Sequence, residues 1–251
     1  MLLAIDAGNS NIKLALFHGA NLLAQSRVPS SLTRTSDEYA AELGNFKQLA
    51  AQVEAVLIAS VVPALNPILA SLAEKYFKRT PLFVDHTTPT GLKILYDSPA
   101  ELGADRIVDA VAAVAKYGAP CIVVDFGTAT TFNAINAAGE FLGGAISPGL
   151  TTCSEALFAR AAKLPRVKFE KPARVIGAST TAAMQSGIYY GYAGLVDGLL
   201  EKMIAELRET PRVIATGGLA HAIAPASEYI EQVDDTLTLE GLRLVYERTK
   251  T

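Results

Sequence analysis

Cysteine is scarce in this 251-residue sequence: Cys121 and Cys153 are the only two. They are too few for a disulfide framework and have no metal-ligand spacing. Cys121 opens an apolar strand and reads as an inert, buried thiol. Basic blocks are also missing. The 22 Lys and Arg are scattered among 25 Asp and Glu, for a net charge of −3. Nucleic acid is therefore not an expected partner, and any bound anion must be held by local geometry. No apolar run is long enough to span a membrane. The most apolar stretch, "VEAVLIASVVPALNPILASLA", contains Glu54, Pro63, Asn66 and Pro67. No basic region precedes the first apolar run, which Asp6 interrupts, so neither a secretory signal nor a membrane partner is expected. A reducing cytoplasm is the expected setting. Linkers and low-complexity segments are absent as well. What remains is a chain that is 50% hydrophobic and long enough to bury one or two cores.

Two stretches of that apolar material repeat each other. "LLAIDAGNSNIKLALFHGANLLA" and "CIVVDFGTATTFNAINAAGEFLGGAISPGL" both run from an apolar strand into Asp-x-Gly. A shift of 119 positions lays Asp6 on Asp125, Gly8 on Gly127, Ala15 on Ala134, Leu16 on Ile135, Leu22 on Phe141 and Leu23 on Leu142. Each copy reads as three strands joined by hairpin turns. The coincidence of acid, glycine, flanking hydrophobics and turn argues for an internal duplication.

Helices and short strands follow each copy. "TSDEYAAELGNFKQLAAQ" reads as a helix with Thr35 and Glu38 at capping-box spacing. "VEAVLIASVVP" and "PLFVD" read as strands. "NPILASLAEKYFKR" reads as a helix, as does "PAELGADRIVDAVAAVAKYG", which Gly118 ends. A long helix is expected over Ser179 to Glu209, then a strand and turn at "RVIATGG" and a closing helix at "TLEGLRLVYERT". The expectation is an α/β protein of two duplicated domains, residues 1–118 and 119–251, facing each other across a cleft.

Asp and Gly are ordinary turn formers, and one such turn would mean little. Two at matched positions of a repeat mean more. A carboxylate at a strand mouth is costly to bury unpaired, so it should face a cleft and hold a cation. Gly8 and Gly127 let the backbone approach a ligand closely. Asn9, Ser10 and Asn11 in one copy, and Thr128, Thr130 and Thr131 in the other, offer donors suited to phosphate oxygens. Lys13 lies on the same strand face as Asn11. Two such turns would clamp a polyphosphate with its Mg²⁺. A third turn, Thr216-Gly217-Gly218, ends a strand with little side chain and permits a flat ring to lie against it, although Gly-Gly alone is usually only a turn.

In this order the three turns resemble those of the acetate and sugar kinases, heat-shock ATPases and actins, whose two domains are ribonuclease-H-like. Within that superfamily the sequence is most similar to the type III pantothenate kinases. "DAGNSNIK" (Asp6, Ala7, Gly8, Asn9, Ser10, Asn11, Ile12 and Lys13) resembles the family's first phosphate motif, with Ser10 where threonine is usual. "DFGTATT" resembles the second, and "GADR" (Gly103, Ala104, Asp105 and Arg106) the substrate and catalytic motif. "GGAISPGL", "AAKLP" and "GASTTAAMQSG" are similar to further family segments.

The resemblance implies an actin-like ATPase fold and transfer of phosphate from ATP to pantothenate, the first step towards coenzyme A. It implies Mg²⁺ with the ATP, a monovalent cation (potassium or ammonium), and a homodimer with the substrate site near its interface. It makes Asp105 the base, Asp6 the organiser of Mg²⁺ and phosphates, Thr128 a phosphate donor and Asp125 the residue tied to the monovalent cation. It assigns Gly217 and Gly218 to the adenosine turn, and Tyr96, Arg106 and Thr180 to the substrate. Each residue also has a plainer reading: a helix-dipole acid for Asp105, a surface ion pair for Arg106, core packing for Tyr96, an N-cap for Thr180. A kinase for another small alcohol, and a non-catalytic nucleotide-binding regulator of the same fold, remain as alternatives. Gly187, Gly191, Gly194 and Gly198 share one face of the long helix, which suggests close approach by another helix, in this chain or in a partner.

Overall fold

The run Leu2–Ile5 is apolar without alternation, which is the mark of a strand covered on both faces. The computed structural model describes residues 1–161 and 164–250, and the run is strand β1 (Leu2–Ala7). It is followed by β2 (Asn11–His18), β3 (Asn21–Pro29), α1 (Ser36–Glu42), β4 (Ala55–Ser60), α2 (Asn66–Leu72), β5 (Leu82–Phe83), β6 (Lys93–Ile94) and α3 (Ala104–Tyr117). The chain continues through β7 (Cys121–Phe126), β8 (Ala129–Ile135), β9 (Glu140–Pro148), α4 (Leu150–Arg160), α5 (Thr180–Leu207), β10 (Arg212–Thr216), α6 (Ala220–Ile223), β11 (Gln232–Val233) and α7 (Leu237–Thr249).

These elements form two compact units: Met1–Ala115 with the chain from Thr236 onward, and Lys116–Asp235. The sequence division at 118/119 differs from this at the C-terminal end. The physical reason is α7, whose buried Leu237, Leu239, Leu242 and Val245 need a sheet to cover and which packs on β1, β2 and β4.

In the first unit β1, β2 and β3 form an antiparallel meander, and β4 and β5 add in parallel, giving the order β3-β2-β1-β4-β5. Leu3, Ile5 and Ala7 point into a core shared with Tyr39 and Ala40 of α1 and with Leu69 and Leu72 of α2. In the second unit the same order recurs as β9-β8-β7-β10-β11, with β10 and β11 parallel to β7. Its core joins Ile122, Val124 and Phe126 to Tyr192, Val196 and Leu200 of α5. Cys121 is fully buried, and burial pushes its thiol up to about 12, as an inert core cysteine requires.

The duplication is visible in the strand ends. β1 and β7 end at residues 7 and 126; β3 runs over 21–29 and β9 over 140–148, so both pairs keep the 119-residue shift. The middle strands do not. The turn between β1 and β2 holds three residues and that between β7 and β8 holds two. Asp6 therefore pairs with Lys13, while Asp125 pairs with Thr131. By strand pairing Leu16 corresponds to Ala134, which corrects the sequence alignment of Ala15 with Ala134 and of Leu16 with Ile135.

Local signals succeed and fail for identifiable reasons. Thr35 and Glu38 make both halves of the capping box that starts α1. The expected long helix stops at Glu42, because Gly44 takes a positive φ of 45° and a 3-10 segment over Gly44–Gln52 replaces it. α3 starts at Ala104, after a separate 3-10 turn over Pro99–Glu101. The long helix α5 is capped by Ser179, whose hydroxyl accepts the Ala182 N–H; this corrects the N-cap reading of Thr180, which is the first helical residue. Helix α4 is not among the helices expected from the sequence. The "AAKLP" segment lies partly outside the described residues.

Candidate active site

The first Asp-x-Gly turn is built by backbone bonds. The Gly8 N–H donates to the Asn11 carbonyl at 3.0 Å, and a side chain at position 8 would crowd that same oxygen at 3.3 Å. Ser30, which the sequence did not single out, secures the turn: its hydroxyl donates to the Gly8 carbonyl at 2.6 Å and its N–H to the Ser10 carbonyl at 3.0 Å. Asn9 and Ser10 are exposed and Asn11 is half-buried, so all three can meet a ligand. Ala7 and Ile12 are buried in the core, so only their backbone could do so.

Asp6 stands opposite Lys13 across the hairpin, on the strand face away from Leu3 and Ile5, and the two form an ion pair at 3.5 Å. Burial pushes the Asp6 carboxyl up to about 6; Lys13 opposes the shift and the nearby Asp105 carboxylate adds to it. A shift of about two units costs roughly 3 kcal/mol when the group ionises. One or two buried Leu or Ile side chains, at ~1.5–3 kcal/mol each, offset that cost.

Asp105 reaches this place through the "GADR" turn. Its Oδ1 accepts the Arg106 N–H at 2.7 Å and lies 2.6 Å from where a Cβ would stand on Gly103. Any larger residue at 103 would displace the carboxylate. The same Cβ position is 3.4 Å from Val61, just beyond β4, which sets the turn against the strand ends. Burial raises the Asp105 carboxyl, while the Arg106 amide and guanidinium and Lys13 pull the other way. Two carboxylates of raised basicity and one ammonium are thus gathered within one unit. This donor set suits a hard divalent cation with its phosphate oxygens. Among the described residues no three His, Cys, Asp or Glu converge, so the protein alone does not form a closed metal cage.

Arg106 is buried, and its guanidinium lies 5.7 Å over the ring of Tyr96. This excludes the surface ion pair that the sequence left open for Arg106. It also joins two residues that only the family resemblance had linked, 10 positions apart. Ala104 is also buried.

The second unit holds the other turns. The Gly127 N–H donates to the Ala129 carbonyl at 3.0 Å. The Thr128 carbonyl accepts from the Gly149 N–H at 3.1 Å and from the Thr152 hydroxyl at 2.9 Å, leaving Thr128 itself exposed. Thr130 does not join this set. It is fully buried and bonds the Tyr192 hydroxyl at 2.5 Å, which corrects its reading as a ligand donor. Tyr192, on α5, was missed because it reads as one core aromatic among others; its hydroxyl also reaches the Pro148 carbonyl at 3.3 Å. β10 brings the Gly-Gly turn beside the second Asp, since Thr216 pairs with Asp125. Gly217 has φ +95°, and a Cβ there would run into Asp125 Oδ1 and the Phe126 backbone. Gly218 is exposed. Thr180 is exposed too and lines an apolar groove of about 730 Å³ with Cys153, Met184, Gly187, Gly191 and Leu195.

A family model described as type III pantothenate kinase matches residues 2–202. The type III pantothenate kinase of Geobacter sulfurreducens is 52% identical over 254 residues, covering 100% of both chains. A conserved Baf family protein of Campylobacter jejuni superposes with a TM-score of 0.62 at 19% identity, over 99% of this chain and 98% of that one. A ROK family glucokinase of Streptomyces griseus, solved with glucose and AMPPNP, superposes with a TM-score of 0.54 at 13% identity, over 96% and 97%. The two structural likenesses bear on the fold, which is that of duplicated ribonuclease-H-like, actin-like ATPase domains. The model and the relative bear on descent: the chain belongs to the type III pantothenate kinase family.

Proposed function

We propose that this chain transfers the γ-phosphoryl group of ATP to the 4′-hydroxyl of pantothenate, giving 4′-phosphopantothenate and ADP. The reaction opens coenzyme A biosynthesis. Phosphoryl transfer to an alcohol needs an acceptor for the hydroxyl proton, in-line positioning and neutralised charge. Asp105 accepts the proton as the substrate oxygen bonds to phosphorus and the bridging oxygen leaves with ADP. Its raised basicity suits the task. Mg²⁺, when bound with ATP, supplies charge neutralisation on the phosphates, and Asp6 is the residue that would hold it, through its water shell. Lys13, Ser10, Asn9 and Asn11 donate to phosphate oxygens. In the second unit Thr128 does the same, Gly217 and Gly218 receive the adenosine, and Asp125 serves a potassium or ammonium ion. Arg106, held over the Tyr96 ring, directs its fork at the carboxylate or amide oxygen of pantothenate.

The observation that carries this reading is the fixed Asp105 carboxylate, pinned by Gly103 and the Arg106 amide within reach of the fields of Asp6 and Lys13. The protein acts as a homodimer in the cytoplasm, with Thr180 reaching substrate near the interface. Support for the dimer comes from α5: Cβ atoms built on Gly187, Gly191, Gly194 and Gly198 would meet nothing within 4 Å among the described residues. Four glycines in one helix are a costly choice with nothing to accommodate, at ~1 kcal/mol each relative to alanine. A second copy gives them a purpose.

One assay tests the proposal. ADP release is followed with Mg-ATP, potassium and a panel of alcohols. Turnover that depends on pantothenate is expected. Turnover with another acceptor alone makes the chain a kinase for that alcohol, and none with any acceptor makes it a nucleotide-binding regulator.

A further inference from the structure

Thr216 closes β10 with 1% of its surface exposed, and its Oγ1 has no hydrogen-bond partner among the described residues. Buried hydroxyls are rarely left so, because an unmade hydrogen bond in the interior costs stability. The position of this one is specific. Thr216 pairs with Asp125 on β7, and Asp125 pairs on its other side with Thr131 on β8. Side chains at paired positions of neighbouring strands share a face of the sheet. Thr131, Asp125 and Thr216 therefore form a row of oxygens across three strands. The carboxylate in the middle is boxed in by two glycines: its Oδ1 lies against position 217, and its Oδ2 is 3.7 Å from a Cβ built on Gly127.

The duplicated unit provides the comparison. There the corresponding row is Lys13, Asp6 and Ala59, and Lys13 pairs its ammonium with the carboxylate at 3.5 Å. The one-residue shortening of the second turn replaces the lysine by Thr131, and β10 replaces the alanine by Thr216. One copy carries its own ammonium opposite the acid; the other offers hydroxyl oxygens on both sides of it. A single carboxylate with neutral oxygens matches the charge of a monovalent ion. A divalent ion of the Ca²⁺ or Mg²⁺ kind calls for more carboxylate or for phosphate.

We propose that Thr216 is a ligand of the monovalent cation held at Asp125, its Oγ1 directing a lone pair at the ion beside the carboxylate. The inference rests on the assignment of Asp125 to that cation. Thr131 flanks the ion from the opposite strand. The unpaired hydroxyl is the part of the site that the protein alone leaves unfinished.

The test is the melting temperature of the Mg-ADP complex, titrated with potassium chloride against lithium chloride at constant ionic strength. The unaltered protein should gain stability with potassium. Thr216→Val keeps the branched shape and removes the oxygen; it should need roughly tenfold more potassium for half the gain. Thr216→Ser should restore the response of the unaltered protein, and Thr216→Ala replaces the valine variant should that one not fold. Asp125→Asn should abolish the potassium response. If Asp125→Asn loses the response while Thr216→Val titrates like the unaltered protein, Thr216 is not a ligand and the Asp125 assignment stands. If Asp125→Asn keeps the response, or the unaltered protein has none, that assignment fails and this inference fails with it.

Discussion

Position 105 shows how one residue type can satisfy two demands. An acid in the first turn of α3 stabilises the helix dipole by ~0.3–1 kcal/mol, and that alone would justify an aspartate. The bond from the Arg106 amide and the missing side chain at Gly103 fix its carboxylate in a single place, which a dipole effect does not require. Asp105→Asn should therefore leave circular dichroism unchanged and should not lower the melting temperature, since burial opposes the charge there too, while turnover falls by on the order of 10²-fold or more. A loss of only a few fold would remove Asp105 from the chemistry. Asp6 makes the complementary case, because burial sets it against stability. Its carboxyl stands at about 6 in the folded chain against an ordinary 3.8. The native state then holds that proton more tightly than the unfolded one, so stability falls as pH rises from about 4 to about 6 and stays lower above. Asp6→Asn should raise the melting temperature of the nucleotide-free protein, by up to about 3 kcal/mol in stability at pH 7.5 and by less at pH 5, while activity is lost. An equal gain at both pH values would contradict the buried-carboxylate account.

Among the elements, those with a dense local code were legible in advance. The capping box of α1, the glycine after α3 and the unbroken apolar runs of β1 and β7 each report a short-range preference that the fold obeys. The failures came where distant contacts decide. Nothing local says that β8 should start one residue early, yet that step replaces Lys13 by Thr131 opposite the acid. Nor does a stripe of glycines say what it meets. Gly241 and Gly191 both sit within helices. A Cβ on Gly241 would collide with the Val108 carbonyl of α3, whereas one on Gly191 would meet nothing within 4 Å among the described residues. Gly241→Ala should accordingly destabilise the protein by about 1–3 kcal/mol or more in chemical denaturation, through forced separation of α7 from α3. Unchanged stability would mean that the two helices do not approach this closely.

At the level of the whole molecule, the glycine face of α5 and the groove beside it await a partner that the proposed homodimer supplies. Gly191→Leu should convert a dimer to a monomer by light scattering, because the new side chain would project from a face where a Cβ meets no described neighbour in this chain. A dimer that persists would place the interface elsewhere. The sequence by itself determined the duplication, the two acidic turns, the Gly-Gly turn and the family, because each is written in contiguous residues whose strand periodicity and turn chemistry act over a few positions. Only the tertiary structure decided that the closing helix belongs with the first sheet, that Arg106 lies over Tyr96, that Thr130 is spent on Tyr192, and that Thr216, beside Asp125, has no hydrogen-bond partner among the described residues. These facts depend on strand register and on packing between residues far apart in the chain, and side-chain chemistry carries no record of register until the sheet has formed.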